Sequence, residues 1–550
     1  MYRTAADRWV HLAAGLMAFL ILALALFANQ QAVHQRGNLA DSHLFEFHGW
    51  CIAQGATPYR EIWDNKPPGI WLVNAAAFAI VGEHPWTGHL PAALATAGTL
   101  GAFVILARRI YGAAITLPAA VLAAALLAHF GFECGANRTE TYVVCAEVGG
   151  VALLLCAISC APSDPRQLSL LVLAGLFLGA APWFKQVGVA ALAGSSVYLL
   201  LTAASPTRGG IRAASRRLIP LWLAAALPTL AIVGWLAARG ALADGFFAFA
   251  KFNQAYFAIG DATWVDLPRA LRDYRDSYPL MILPLILAAL GCVTPLHDPT
   301  NAARSDAKPA DLPHPSPLPL LIVWFTVAAY LALVSVGRLS YHLAPLLPPL
   351  ALLALRPVAW LLRGSLTTAL QDPARILGLA CFAAACLQIV AQSARIGGWI
   401  DRGGGPAWPA RAASLERVID QGRAVAAACE PRERVYVWGW APGPYRFAYR
   451  LPSTRFATLE KVFPLRPHAA FIEAEARAAL VADPPRVFAI SRRDLEALRI
   501  DGTPVANLLA LRYEERCEMD GVVVLRRTDE RGPAASTVSR ISQPAGVQAR

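Results

Sequence analysis

The sequence predicts a mostly α-helical protein that crosses a membrane many times and ends in a small α/β domain. Of its 550 residues, 56% are hydrophobic and only 16% are charged, a composition too apolar for a soluble globular protein. Apolar runs of about 20 residues, the length that a helix needs to cross a bilayer, recur along the chain. From about Trp408 onward the composition becomes that of a soluble domain.

Arginines in the loops orient the predicted spans. Arg3 and Arg8 hold the N-terminus in the cytoplasm by the positive-inside rule, and an arginine-rich loop at 204–217 is the strongest later cytoplasmic signal. The apolar runs then give about eleven predicted spans, with the C-terminal domain outside the cytoplasm. The predicted spans are residues 9–28, 90–107, 113–130, 141–160, 168–182, 187–203, 218–238, 278–293, 318–336, 343–355 and 376–394.

Residues 70–81 form an apolar run that is too short for a span. The run is closed by Gly82-Glu83-His84-Pro85, and the next apolar run ends at a cytoplasmic Arg108-Arg109 pair. Because 41–69 is predicted outside the cytoplasm and Arg108-Arg109 inside it, 90–107 supplies the one crossing that fits between them. The run 70–81 is therefore predicted to lie in the interface or to re-enter the membrane. A tilted span across a thinned bilayer is the alternative.

The predicted topology brings five polar clusters to one face of the membrane. They are residues 41–69, 135–140, 183–186, 239–277 and 337–342. We therefore predict a membrane domain at 1–395 with outer loops at 29–69, 131–140, 239–277 and 337–342. An extracytoplasmic α/β domain at 408–530 and a disordered tail at 531–550, rich in Ser, Pro, Gly and Ala, complete the chain.

The C-terminal domain is predicted from one amphipathic helix at 410–429 and from strands at 434–440, 486–491 and 521–526, with helical stretches between them. It holds one pair of cysteines, Cys429 and Cys517. In an oxidising compartment they form a disulfide or remain two buried thiols, and the sequence leaves both open. The ten cysteines of the chain show no CxxC or Cys/His spacing, so no zinc or iron–sulfur site is indicated.

The stretch 41–69 combines acids, a lysine in a proline frame and aromatic side chains. Long ordered loops tend to be functional, and polar groups at a membrane edge mark a substrate path. Cations from four of the five outer clusters are candidates for holding a phosphate, because Lys and Arg are the usual phosphate ligands. A phosphate at that depth would be a lipid headgroup. The candidates are Lys66, Arg138, Lys185, Arg338 and His342.

The order of motifs resembles a known family. The chain has a first span, an outer loop with an early Asp, the pattern G-x-x-PY-x-x-x-W-x-x-KPPG, an Arg/Glu outer loop, and GR-x-x-YH before a Pro-rich span. Over residues 1–400 this looks like the bacterial GT-C glycosyltransferases related to protein O-mannosyltransferases and lipid A aminoarabinose transferases.

The resemblance implies a GT-C-like fold and an inverting glycosyltransferase. Such an enzyme moves a sugar from a polyprenyl-phosphate donor to an envelope lipid, glycan or protein at the outer face of the cytoplasmic membrane. The family's base maps to Asp41, its KPP lysine to Lys66, its second-loop acid to Glu140 and its late polar pair to Tyr341-His342. Many relatives have an Asp-Glu pair where this chain has Asp41-Ser42, which leaves one ligand fewer for a metal.

Other roles remain open for several of these residues. Asp41 could cap a helix at 42–54, Lys66 could snorkel to the interface, and Glu140 could serve only an ion pair with Arg138. Four residues are candidates for contacting substrate, although the aromatic side chains at 59 and 63 also suit a membrane-interface belt and the acid a helix end or solvent. They are Tyr59, Trp63, Asp64 and Tyr341.

Two rival functions stay in view, a transporter or flippase for a lipid-linked sugar and a non-catalytic envelope-assembly scaffold. A transporter tends to place charges at the bilayer midplane in symmetric repeats, whereas here the charges gather on one face. We expect no cofactor and no nucleic-acid partner, and a divalent metal is not indicated. The expected partners are the lipid-linked donor, the envelope acceptor and membrane lipids.

Overall fold

The computed structural model describes most of the chain. The described residues are 5–35, 40–161, 163–203, 210–254, 272, 278–294, 316–334, 339–362, isolated positions between 373 and 391, 409–439, 442–457 and 470–528. Arg338, the tail 531–550, most of the loop 239–277 and part of the last predicted span at 376–394 lie outside these residues.

Helices form most of the described chain, as the composition predicts. The first eight are α1 (Ala5–Gln35), α2 (Ala40–Ala53), α3 (Gly69–Val81), α4 (His89–Tyr111), α5 (Thr116–Leu126), α6 (Thr139–Ile158), α7 (Pro165–Ala180) and α8 (Ala190–Ala203). The next five are α9 (Gly210–Ala238), α10 (Leu242–Phe246), α11 (Tyr278–Val293), α12 (Leu318–Leu333) and α13 (Leu347–Leu361). Short 3₁₀ segments at Ala181–Trp183 and Gln186–Val189 precede α8, and another at Ser340–Leu346 precedes α13.

Six described helical segments are long and apolar enough to cross a membrane. They are Leu12–Val33, His89–Tyr111, Thr139–Ile158, Pro165–Trp183, Gly210–Ala238 and Ser340–Leu361. Shorter apolar helices lie at Gly69–Val81, Ala113–Leu126, Gln186–Thr202, Met281–Val293 and Leu318–Leu333. The chain is thus a multi-pass membrane protein. The total of about eleven spans and the side on which each loop lies stay predictions.

The short apolar run at 70–81 forms α3, which has 13 residues and ends at Gly82. At about 1.5 Å per residue such a helix is roughly 20 Å long, short of the ~30 Å hydrocarbon layer. Its length fits the prediction that it does not cross the membrane, and that prediction remains to be tested.

Helix α6 lies in the middle of the membrane bundle. It packs against α4 and α7, while α7 packs along α9. A Cβ atom on Gly175 of α7 would lie 2.3 Å from the Leu221 carbonyl oxygen of α9, so these two helices touch through their backbones. Small residues at such crossings are typical of membrane helices, because close packing replaces the hydrophobic driving force.

The C-terminal region contains helices α14 (Pro409–Ala427), α15 (Pro442–Ala448), α16 (Ala470–Ala482), α17 (Arg492–Asp501) and α18 (Pro504–Arg512). Its four strands, β1 (Val435–Val437), β2 (Val487–Ser491), β3 (Tyr513–Met519) and β4 (Val522–Arg527), form one mixed sheet in the order β1-β2-β4-β3. Strands β1 and β2 are parallel, and the other two pairings are antiparallel. The α/β character of this region is therefore as predicted.

Strand β3 escaped the sequence prediction, and helix α15 lies in a region that the sequence predicted only broadly as containing helical stretches. Strand β3 reads YEERCEM and lies at the sheet edge with little burial, so it lacks the alternating apolar pattern of a half-buried strand. Helix α15 contains two prolines and a glycine, which suggest a loop, yet every residue of it is buried and it packs against α2. Tertiary contact rather than local preference forms this helix.

The two cysteines of the C-terminal domain are free thiols. Cys429 is buried and its sulfur donates to the carbonyl of Val425, while Cys517 lies on β3. The disulfide alternative for this pair is therefore wrong in this structure.

Candidate functional site

Two oppositely charged pairs form the centre of the candidate site. Helix α2 contributes Asp41 from its first turn, and the residues that begin α6 contribute Arg138 and Glu140. The Asp41 Oδ2 atom accepts a hydrogen bond from Arg138 Nη1 at 2.6 Å. Glu133 also pairs with the guanidinium of Arg138. Residues almost 100 positions apart are thereby brought into direct contact, which the sequence spacing could not show.

The second pair joins Glu140 to Lys185. The Lys185 Nζ atom donates to Glu140 Oε1, and the other carboxylate oxygen of Glu140 accepts from the Thr139 hydroxyl at 2.8 Å. Glu140 lies in the first turn of α6, where a carboxylate interacts favourably with the helix dipole. Lys185 lies in extended backbone between the two 3₁₀ segments before α8. The ion pair of Glu140 is therefore with Lys185, and not with Arg138 as the alternative reading assumed.

Tyr341 lies against the cations of both pairs. The centre of its ring is 4.2 Å from the guanidinium carbon of Arg138 and 5.8 Å from Lys185 Nζ. The His342 ring packs edge-on against the Tyr341 ring at 4.7 Å. The buried Nδ1 atom of His342 has no hydrogen-bond partner among the described residues. It is available for a hydrogen bond with a ligand.

The loop that carries Lys66 abuts the turn that carries Lys185. A Cβ atom on Gly69, the last residue of the KPPG motif, would lie 2.5 Å from the carbonyl oxygen of Trp183, so no larger residue fits there. The Tyr59 hydroxyl donates to the Lys66 carbonyl at 2.8 Å and fixes the loop from within. The side chain of Lys66 is half-buried and within electrostatic reach of His342.

Three of the residues predicted to contact substrate pack within the loop, and their contact with substrate stays a prediction. Tyr59 is fully buried against Trp71, with a positive φ of 64°. Trp63 packs edge-on against Phe252, at 5.0 Å between ring centres. Asp64 is only 3% exposed, and its Oδ1 atom accepts from the next backbone N–H. Asp64 is thus not a solvated acid, and neither aromatic ring is part of an exposed interface belt.

A cavity opens beside the two ion pairs. Its polar wall is formed by Arg138, Glu140, Glu133 and Tyr341. Its other wall is mainly apolar and comes from α4, α5 and α6, with Thr96, Leu127 and Val144 among the lining residues. Charged groups on one side of an apolar slot suit a ligand that has a charged end and an apolar end. Arg338, the remaining predicted phosphate ligand, is outside the described residues.

The charge state of Arg138 follows from its neighbours. Burial alone would lower the pKa of the guanidinium, but the carboxylates of Glu133 and Asp41 outweigh burial and raise that pKa. Arg138 therefore keeps its positive charge and is available to bind an anion.

A third ion pair, between Glu46 and Arg446, links α2 to the C-terminal region. Glu46 Oε2 accepts from Arg446 Nε at 2.7 Å, and its Oε1 accepts from the Asn137 amide at 3.3 Å. Burial alone would raise the pKa of Glu46, yet the charge of Arg446 holds it below its usual value. No sequence pattern indicated this pair, because its members are 400 positions apart.

Two further acids near the site were missed. Glu133 lies in a glycine-rich turn and belongs to no motif, so nothing in the sequence marked it. Glu147 interrupts the apolar run of α6, and a lone acid inside a predicted span was a usable signal. Among the described residues no group of three His, Cys, Asp or Glu side chains could hold a metal ion.

The fold is shared with solved structures. ArnT from Cupriavidus metallidurans bound to undecaprenyl phosphate has a TM-score of 0.57 at 16% identity, and the match covers 96% of this chain and 100% of that one. The apo state of the same protein gives 0.54 at 16% identity, covering 95% and 98%. An apo oligosaccharyltransferase from Archaeoglobus fulgidus reaches only 0.49 at 14% identity, covering 90% and 71%. The chain thus has the GT-C fold that the resemblance predicts.

No protein-family profile and no curated protein sequence matches the chain.

Proposed function

We propose that this protein is an inverting glycosyltransferase that moves a sugar from a polyprenyl-phosphate donor to an envelope lipid, glycan or protein. The observation that carries the proposal is the arrangement of Asp41–Arg138 and Glu140–Lys185 around Tyr341, beside a partly apolar cavity. It combines an acid that can act as a base with cations that can hold a lipid phosphate. The shared fold with an ArnT that binds undecaprenyl phosphate supports the same donor class.

The donor phosphate would compete with the carboxylates for the cations. Arg138 and Lys185 are each paired with an acid in this structure, and a phosphate binds such cations at least as well as a carboxylate does. We infer that donor binding draws Arg138 away from Asp41. The Asp41 carboxylate then loses a stabilising cation and becomes a better proton acceptor, because a nearby positive charge favours the ionised form of an acid.

The reaction itself is a single displacement. The acceptor hydroxyl oxygen attacks the anomeric carbon from the face opposite the phosphate, and the bond from that carbon to the phosphate oxygen breaks. The electron pair leaves with the polyprenyl phosphate, and the hydroxyl proton passes to Asp41. A positioned base contributes about 10²–10⁴-fold to such a step.

Fixed cations would stabilise the leaving group. Its negative charge grows as the bond breaks, and Lys66, Arg138 and Lys185 would face it in a partly dehydrated site, where fixed charges act strongly. His342 would donate or accept a hydrogen bond through its unpartnered Nδ1 atom, and Arg338 stays a candidate ligand. Asp64, Tyr59 and Trp63 would act by holding the loop.

No cofactor takes part in this proposal, and independence of divalent metal is an expectation to be measured. Transfer should persist in the presence of EDTA. Loss of transfer that Mg²⁺ or Mn²⁺ restores would show that a metal is required.

We place the reaction at the outer face of the cytoplasmic membrane. Residues 1–395 would form the membrane-embedded catalytic domain, and residues 408–530 would form an extracytoplasmic domain above it. Reporter fusions after residue 210 or 305 should report the cytoplasm, and fusions after 260 or 420 the outside. A cytoplasmic signal at 420 would overturn the placement of all charged clusters on one face.

Transfer by the purified protein tests the function directly. The protein in lipid nanodiscs is given polyprenyl-phosphate sugar labelled in the sugar, together with an extract of envelope lipids, glycans and proteins. We expect the label to move to one acceptor class and the configuration at the anomeric carbon to invert. Movement of intact donor across sealed vesicles without transfer would instead support a flippase. Neither activity from folded protein would favour a scaffold.

A further inference from the structure

Glu147 is a buried acid in the membrane bundle with no part in the mechanism above. It lies within the apolar helix α6, it is fully buried, and no cation is among its described neighbours. Placing a carboxyl group in an apolar bundle is costly unless it is well hydrogen-bonded, and acids at such positions usually serve function.

Glu147 and Glu140 occupy the same face of α6. They are seven positions apart, close to two full turns, so the two side chains project in nearly the same direction about 10 Å apart along the helix. Glu140 holds the side chain of Lys185. Glu147 therefore faces the chain segment that follows Lys185.

The contacts of Glu147 bear out that placement. Its Oε1 atom accepts from the backbone N–H of Ala191, in the first turn of α8, at 3.1 Å. Its Oε2 atom accepts from Trp324 Nε1 on α12 at 3.2 Å. A carboxylate is a suitable partner for an N–H group at a helix start, where the helix dipole favours negative charge. One side chain thus joins α6, α8 and α12.

The short segment between Lys185 and Ala191 connects the Glu147 contact to Lys185. A Cβ atom on Gly188 would lie 2.5 Å from the Ala181 carbonyl carbon, so the turn is folded tightly back on itself. On the far side, a Cβ atom on Gly194 would lie 2.9 Å from the Leu320 carbonyl oxygen, so α8 is in close contact with α12. Because these close contacts leave little room for movement, a shift at the start of α8 would displace Lys185 from Glu140.

We propose that Glu147 is a positioning residue that sets the place of Lys185 in the site, from two turns deeper in the bundle. The effect on donor binding rests on the function proposed above, whereas the anchoring of residues 181–191 does not.

The first test replaces the carboxylate with an amide of the same shape. In Glu147→Gln one oxygen can still accept a hydrogen bond, but the new NH₂ group must face an N–H donor, either Ala191 or Trp324. We expect affinity for undecaprenyl phosphate to fall about tenfold, the loss typical of one hydrogen bond to a charged group. Amide hydrogen exchange of the peptide 181–191 should become faster.

A second substitution should restore both readouts. In Glu147→Gln/Trp324→Phe the amide oxygen can face Ala191, and the NH₂ group no longer opposes the indole N–H. We expect affinity to recover to within about threefold, under a kcal/mol, and exchange at 181–191 to slow again. Trp222→Phe is a matched control, because it removes an indole hydrogen bond to Ser196 elsewhere on α8. It should change neither readout.

The possible failures are distinguishable. If the wild-type protein binds no polyprenyl phosphate and transfers no sugar, the proposed function fails, and exchange at 181–191 still reports the anchoring. If Glu147→Gln lowers the unfolding temperature but leaves exchange at 181–191 and donor affinity as in the wild type, Glu147 only stabilises the bundle. Absence of recovery in the double variant would equally overturn the positioning role.

Discussion

Helix α2 supplies acids to two ion pairs that differ in what surrounds them. Asp41 and Arg138 pair at the edge of the cavity, with 20% and 10% of their side chains exposed. Glu46 and Arg446 pair only five positions further along the helix, with 1% and 0% exposed. The residue types and the hydrogen-bond geometry are alike. Access to a ligand is what separates them.

The two arginines also differ in how they are occupied. The guanidinium of Arg446 donates to Glu46, to the hydroxyl of Tyr449 and to the carbonyl of His84, and it lies 4.7 Å from the Phe78 ring centre. All three nitrogens of this guanidinium donate a hydrogen bond, and the Phe78 ring covers one of its faces. The guanidinium of Arg138 instead lines a cavity, and its partners among the described residues are the side chains of Asp41, Glu133 and Tyr341. A salt bridge that a substrate can open is suited to chemistry, whereas an enclosed one holds structure.

Breaking the enclosed pair should have the largest effect, and the effect should be on stability. Arg446→Met leaves Glu46 buried without its cation, a change that typically costs about 3–5 kcal/mol. We expect a strongly lowered unfolding temperature in detergent. The double variant Glu46→Gln/Arg446→Met removes both charges and should recover part of that loss. A single variant as stable as the wild type would show that the pair is not structural.

Asp41→Asn should spare stability and abolish most turnover. Asn and Asp are equally good near a helix start, so folding should be nearly normal. Donor binding should be as tight as in the wild type or tighter, because the donor phosphate no longer competes with a carboxylate at position 41 for Arg138. Asn cannot accept the acceptor's proton, so we expect turnover to fall by about 10²-fold or more. Asp164→Asn, the same change at the N-cap of α7, is the control and should keep full activity. Wild-type transfer by folded Asp41→Asn would reduce Asp41 to a helix-end residue and move the base to another acid.

Lys66→Met should weaken donor binding more than it affects folding. Methionine keeps much of the apolar stem but removes the charge, so affinity for the lipid phosphate should fall about tenfold. Turnover should also fall where the leaving phosphate needs that charge. Lys251→Met removes an exposed lysine from the neighbouring segment and serves as the control. Equal donor affinities for the two variants would contradict a phosphate role for Lys66.

The smallest expected effect is a pH dependence of stability that arises beside the enclosed pair. Burial lowers the pKa of His43 from 6.5 to about 4; Glu46 opposes this, while Arg446 and His89 add to it. The unfolded chain binds a proton on this histidine at higher pH than the folded chain does. The stability that comes from keeping His43 neutral is therefore fully present above pH 6.5 and is lost as the pH falls through 4.

The unfolding temperature measured from pH 7 to pH 4 should therefore fall less steeply in His43→Gln than in the wild type. His84→Gln, at an exposed histidine, is the comparison variant. Identical slopes for His43→Gln and the wild type would show that His43 is not the group that titrates.

Much of the fold could be read from the sequence because a membrane makes strong local demands. Every backbone polar group in hydrocarbon must be satisfied within its own helix, so spans appear as long apolar runs. Runs such as 90–107 and 141–160 accordingly became α4 and α6. Strand β3 was missed because pairing with β4, and not an alternating apolar pattern of its own, forms it.

The candidate site, like the fold, could be predicted from the sequence only in part. The sequence by itself determined which polar residues stand at the ends of apolar runs, and so marked Asp41, Lys66, Glu140 and Lys185, because charges are expelled from the span interiors. Only the tertiary structure decided their pairing: Arg138 with Asp41, and Lys185 with Glu140. Charge pairing depends on distances of a few ångströms between segments far apart in the chain. Such distances are set by how the helices pack, and no local pattern records them.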